Sequence, residues 1–110
     1  TRGLDGGLFV YKEADFQEQL KSLLSRTFTK KIHRDFVRLM TNEAKLVIPD
    51  KNGRVQLPEY LISFAKLQKS VVLVGSLEKI EVWDRELYHA YIDSIESKAE
   101  EIAETLELYD

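Results

Sequence analysis

The sequence predicts a small α+β domain built on an internal repeat, with flanking helices and a long C-terminal helix. Three observations predict it. The first is a gapless repeat: GLDGGLFVYKEADFQEQL from Gly3 aligns on GSLEKIEVWDRELYHAYI from Gly75, at an offset of 72 residues that also relates Val10 to Val82. Leu8, Val10 and Tyr11 then fall on Ile80, Val82 and Trp83, and Phe16 and Leu20 on Tyr88 and Ile92. Self-similarity at a fixed offset marks a duplicated supersecondary unit, here a strand followed by a helix. The second is the segment DKNGRVQLP at residues 50–58, whose Asn52-Gly53 pair is the strongest short hairpin signal in the chain. The third is apolar spacing that alternates between short runs suited to strands and 3.6-residue periods suited to helices.

Taken in order, residues 8–11 form an apolar run after GLDGG, whose glycines supply the turn before a strand. From Asp15, residues Phe16, Leu20, Leu23 and Leu24 recur at helical spacing. A second helix from His33 places Phe36, Val37 and Met40 on one side, with Thr29 as its N-cap. Residues 44–49 (AKLVIP) read as a strand, DKNG as the turn, and residues 55–57 as the return strand. Pro58 suits a first helical position, and PEYLISFAKL reads as a short helix with Leu61, Phe64 and Ala65 turned inward. SVVLVG reads as a buried strand, SLEK as a turn, and residues 80–83 as the next strand. Asp84 caps the C-terminal helix, where Tyr88, Ile92, Ile95, Ala99, Ile102 and Leu106 step by four and three and form a seam that needs a partner surface.

Composition bounds the function. At 110 residues the chain fits one domain, or two half-domains sharing a core, and buries roughly two-thirds of its unfolded surface. Cysteine is absent, which excludes disulfides and thiolate metal sites and is compatible with a reducing cytoplasm. The longest apolar runs, LISFA and VVLV, are far shorter than a membrane span. The net charge of −3 is unevenly placed: residues 93–110 hold seven acids against Lys98 alone, so this segment carries −6 and the remainder +3. Such segregation permits a basic face on an acidic protein. The stretch from Arg26 to Arg38, with Lys30, Lys31 and Arg34 against Asp35, reads either as a phosphate-tracking face or as a solvated helix surface.

The DKNGR turn admits three readings. As a calcium loop it starts well with Asp50 and Asn52, but Arg54 and Leu61 stand where an oxygen ligand and a bidentate glutamate are needed. As a plain hairpin turn it needs only Asn52 and Gly53 to adopt positive φ. As a contact element it presents Lys51 and Arg54 outward, the arginine offering a planar fork matched to guanine edges or phosphate, while Asp50 holds the turn. A helix-turn-helix around SRTFTK competes weakly, since no glycine marks the turn. His33 and His89 are isolated, with no acid, Ser or Cys cluster at ligand or triad spacing. Trp83, paired with Tyr11 in the repeat, reads as a core anchor.

DKNGRVQLPEYLISFA followed by VVLVGSLEKIEVWDRELY resembles the second half of the MraZ family of bacterial regulators of the division and cell-wall gene cluster, within the wider AbrB-like swapped-hairpin DNA-binding group. TRGLDGGLFVY is similar to the end of that family's first half. The resemblance implies a double-split, swapped-hairpin β-barrel core with a pseudo-twofold repeat, in which an Asp-x-x-x-Arg motif contacts DNA. Here that motif falls on Asp50 and Arg54, with Lys51, Asn52 and Gly53 between them. Its first copy would lie upstream of Thr1, so the chain is expected to begin mid-repeat; Thr1 is not an initiator Met. Pro49, unable to donate to a ladder, must end a strand or lie at an edge.

The expected divisions are residues 1–43 as the remainder of the first unit, 44–92 as the second unit and 93–110 as an acidic helical extension. The function the resemblance implies is sequence-specific binding of double-stranded DNA at promoter direct repeats by a ring-shaped homo-oligomer. Such a protein represses its own gene cluster, works in the cytoplasm on the nucleoid, and is not an enzyme. No cofactor, membrane or small-molecule substrate is expected. The alternative is an AbrB-like antitoxin or protein-interaction module that uses the acidic C-terminal helix.

Overall fold

A computed structural model describes residues 1–27 and 29–106, apart from the side chains of residues 26 and 27. The elements run β1 (Leu8–Tyr11), α1 (Glu13–Thr27), α2 (Lys31–Glu43), α3 (Glu59–Ala65), β2 (Val71–Ser76), β3 (Lys79–Asp84), α4 (Arg85–Glu96) and α5 (Ala99–Glu104). The described strands form one antiparallel sheet in the order β1-β3-β2.

The turn before β1 works as its glycines foretell. Gly3 N–H donates to the Gly7 carbonyl at 2.9 Å, with Asp5 (φ 61°) and Gly6 (φ 96°) in left-handed conformations that reverse the chain. Gly7 has a second duty: a Cβ there would lie 2.8 Å from Cε2 of Trp83.

Because side chains alternate across a strand, the sheet has two faces. On one, Leu8 and Val82 stand opposite each other and pack with Leu61 and Ala65 of α3 in a core whose members are each under a tenth exposed. Burying each leucine there contributes about 1.5–3 kcal/mol. On the other face, aromatic rings of the strands meet those of the helices that follow. Tyr11 packs on Phe16 at 5.4 Å between centroids, and Trp83 on Tyr88 at 5.5 Å; Tyr91 stacks on Trp83 at 5.3 Å. The first two pairs occupy equivalent positions of the sequence repeat. Trp83 is 5% exposed and donates Nε1–H to Glu81, so it is the core anchor its position foretells.

Asp84 is buried, and its two carboxylate oxygens accept from separate segments: Oδ2 from Leu87 N–H of the first turn of α4, and Oδ1 from Gln68 N–H of the α3–β2 link. It is thus an N-cap and a tie. α3 ends in a Schellman arrangement, with Lys66 N–H donating to Ser63 O and Leu67 N–H to Ile62 O, and Lys66 taking φ 54° where glycine is the usual occupant.

Several expectations need correction. Residues 44–49 and 55–57 form no strands; only the turn between them closes. Isolated two-stranded ribbons are marginal in water; Leu57 packs on the core, but the rest of the arms is largely open, with Leu46 63%, Ile48 81% and Val55 46% exposed. β2 is half-exposed rather than buried: it is the edge strand beside β3, and although Leu73 stands opposite Val82, Val71 and Leu73 remain 45% and 65% exposed. The long C-terminal helix is interrupted at Ser97–Lys98 and continues as the separate α5. Tyr88 and Ile92 are half-buried, but beyond the break Ile102 and Leu106 are 45% and 47% exposed, so no packing enforces continuity across a serine. α2 starts at Lys31, capped by Lys30 rather than Thr29, and Pro58 is the N-cap of α3 rather than its first residue.

Candidate nucleic-acid interface

The turn at residues 50–54 is built around one carboxylate. Asp50 Oδ1 accepts from the backbone N–H of both Asn52 and Arg54 at 2.9 Å, while Asp50 N–H donates to the Arg54 carbonyl and Gly53 N–H to the Asp50 carbonyl, both at 2.9 Å. This is an Asx-type turn stiffened by backbone bonds. Gly53 takes φ 78°, with open space where a Cβ would be, so glycine stands there for conformational freedom and not for want of room.

All five residues are exposed. Among the described residues, Lys51 and Arg54 have no ion-pair partner. Asp50 spends one oxygen on the backbone and pairs with neither. Two cations therefore project from a braced tip into solvent, one a point charge and one a planar fork. No group of three or more His, Asp or Glu side chains among the described residues is placed to hold a metal ion, the turn included.

The basic stretch on α2 is differently arranged. Asp35 receives Lys31 at 2.6 Å and Arg38 at 3.2 Å, so two of its cations are engaged within the helix. The hydrogen bond from Lys31, and secondarily the pairing with Arg38, hold the Asp35 carboxyl below its usual range. Geometry thus favours the solvated-helix reading of that stretch. What sequence reasoning missed lies elsewhere: Lys66, Lys69 and Arg85, from two separate segments, line one cleft with Gln68, Ser70, Asp84, Glu86 and Leu87. Their spacing along the chain gives no sign of this; the segments are brought together by the Asp84 carboxylate on Gln68 N–H, by Arg85 N–H donating to the Ser70 carbonyl at 3.1 Å, and by the β2–β3 pairing of Val71 with Asp84.

The geometry is that of a small mixed α/β domain bearing an exposed Asp-x-x-x-Arg turn, braced by its own backbone and presenting two cations to solvent. Comparison with known proteins makes the class particular. The family model described as "MraZ protein, putative antitoxin-like" matches residues 40–109. Proteins named "Transcriptional regulator MraZ" are 41% identical over 97% of this chain in Halothermothrix orenii, 39% over 96% in Carboxydothermus hydrogenoformans and 38% over 96% in Desulforamulus reducens. The matches span about three-quarters of each relative: 75%, 74% and 75%. The chain belongs to the MraZ family.

Proposed function

We propose that this chain is a sequence-specific DNA-binding transcriptional regulator that reads duplex DNA through the Asp50–Arg54 turn. The observation that carries the reading is the division of labour within that turn. Asp50 is committed to backbone amides, so the exposed Arg54 guanidinium remains available for the O6 and N7 acceptors of guanine and Lys51 for phosphate. The relatives' name as transcriptional regulators agrees with it. The test is an anisotropy titration of a promoter-repeat duplex against a scrambled one over a range of salt. Binding should weaken steeply with salt, and the preference should vanish in Arg54→Ala; salt-insensitive binding or an unchanged preference would overturn it.

The same reading includes a pseudo-twofold core of the double-split kind and a second unit spanning residues 44–92. The strand register supports it: Phe9 pairs with Glu81, 72 residues on, and the flanking pairs Leu8–Val82 and Val10–Ile80 exchange under the repeat. It also includes self-association into rings that repress from promoter direct repeats. The supporting quantity is surface. The chain exposes 8813 Å² and has a radius of gyration of 16.0 Å, against roughly 6,300 Å² and about 13 Å for a compact monomer of this size. The excess of about 2,500 Å² is of the order that obligate interfaces bury. No described helix is long and apolar enough to cross a membrane. An interaction role for the acidic end is favoured by one observation, the half-exposed seam of Ile102 and Leu106.

A further inference from the structure

We infer that the cleft lined by Lys66, Lys69 and Arg85 is a second DNA contact, holding the phosphate backbone beside the segment read by the turn. The inference rests on the DNA-binding reading above and extends it to residues outside the Asp-x-x-x-Arg motif.

The cleft is open, about 830 Å³, and lies where the α3–β2 link meets the start of α4. All three cations are exposed, and among the described residues none has an ion-pair partner. Two acids share the lining. Asp84 is buried, its oxygens accepting the Gln68 and Leu87 amides, and Glu86 is exposed; against the three cations the two carboxylates leave the lining a formal charge of +1. Gln68 and Ser70 add neutral polar groups of the kind that accompany lysine and arginine on phosphates.

Lys66 carries a second observation. It holds a left-handed conformation at the end of α3 that glycine would adopt without penalty. A side chain kept at such a position points to a use for that side chain.

Position ties the cleft to the turn. Gln68 also lines the neighbouring hollow, together with Lys45 and the return arm Val55, Gln56 and Leu57. From Arg54 to Gln56 the chain advances two residues, about 7 Å when extended, whereas the major groove is about 12 Å wide. A duplex that engages both Arg54 and the cleft presents its flanking backbone to the cleft, so the ligand chemistry is that of successive phosphodiesters.

The experiment compares the protein, Lys69→Gln/Arg85→Gln and Lys66→Gly on a duplex obtained by in vitro selection and on a scrambled duplex. The double variant should reduce the slope of log affinity against log salt by about two per copy, near 0.9 per phosphate contact, with the preference for the selected duplex unchanged. Lys66→Gly should reduce the slope by about one while melting no lower than the parent, which separates a lost contact from a damaged fold. Parental slopes in both variants, beside a parent that binds and an Arg54→Ala variant that loses preference, would overturn the cleft and leave the turn standing. A parent without salt-dependent DNA binding would overturn both.

Discussion

Asp50→Ala should separate specific from non-specific binding in sign. In the folded turn one Asp50 oxygen accepts two backbone amides at 2.9 Å, those of Asn52 and Arg54. Hydrogen bonds of this kind contribute about 0.5–1.5 kcal/mol each, so removing both releases about 1–3 kcal/mol of ordering. That ordering must then be supplied on binding, which weakens the specific complex about 5- to 150-fold per turn. Loss of a negative charge acts in the opposite direction on every duplex, by strengthening attraction to phosphates. Asp50→Ala should accordingly bind scrambled DNA at least as well as the parent and the cognate repeat worse. Asp50→Asn makes the same charge change but keeps an acceptor oxygen, so it should hold or gain affinity on both. Anisotropy titrations at matched salt read the affinities, and hydrogen exchange at Asn52 and Arg54 reads the turn directly, with faster exchange expected only in the alanine variant. Equal behaviour of the two variants on the cognate repeat, or unchanged exchange in Asp50→Ala, would refute a bracing role for the carboxylate.

Other outcomes follow from the same structure. Arg54→Ala should lose about 1–3 kcal/mol of base discrimination per subunit with thermal unfolding unchanged, whereas Lys51→Ala should weaken all duplexes alike and lower the salt slope by about one. Gly7→Ala sets a methyl 2.8 Å from the Trp83 indole and should destabilise by about 1–3 kcal/mol in urea unfolding. Asp84→Ala removes the cap of α4 and orphans the Gln68 amide, at a cost of about 2 kcal/mol on the same assay. Asp35 lies below its usual carboxylate range in the folded chain; its pairing with Lys31 and Arg38 is present above the ordinary carboxyl pKa and lost as pH falls through the depressed one, so helix content in α2 should decline only in strongly acidic solution, read by circular dichroism.

The sequence was most informative where one periodicity was satisfied inside the chain. β1, α1, β3 and α4 were legible because their apolar residues bury against one another, and Asp84 because a cap is a local property of sequence. The turn was legible for the same reason: Asp50, Asn52 and Gly53 form it from bonds within five residues. The arms at 44–49 and 55–57 were misread because alternation specifies a strand but supplies no ladder. Leu46, Ile48 and Val55 are exposed in the described chain and wait on another surface. The Lys66–Lys69–Arg85 cleft was invisible for a further reason, since it depends on tertiary bonds between segments, Gln68 N–H to Asp84 and Arg85 N–H to Ser70, and on the β2–β3 pairing beside them.

These two kinds of exposed feature point to one arrangement. The arms that carry the turn expose Leu46, Ile48 and Val55, and the sheet exposes Val71 and Leu73, while Gln68 lines both the cationic cleft and the hollow walled by the return arm. If a second copy covers the apolar arms, it also fixes the direction in which Arg54 points. Association then becomes a condition for specificity and not only a source of avidity. A lone chain would keep its cationic tip and bind phosphates weakly at any sequence, since its arms lack a ladder to hold the turn in register. Diluting the protein below the dissociation constant for its self-association should therefore erode discrimination between cognate and scrambled duplexes before it erodes salt-dependent binding. Discrimination that persists unchanged in monomers, with mass photometry or sedimentation confirming the state, would show that Asp50 alone orders the turn sufficiently.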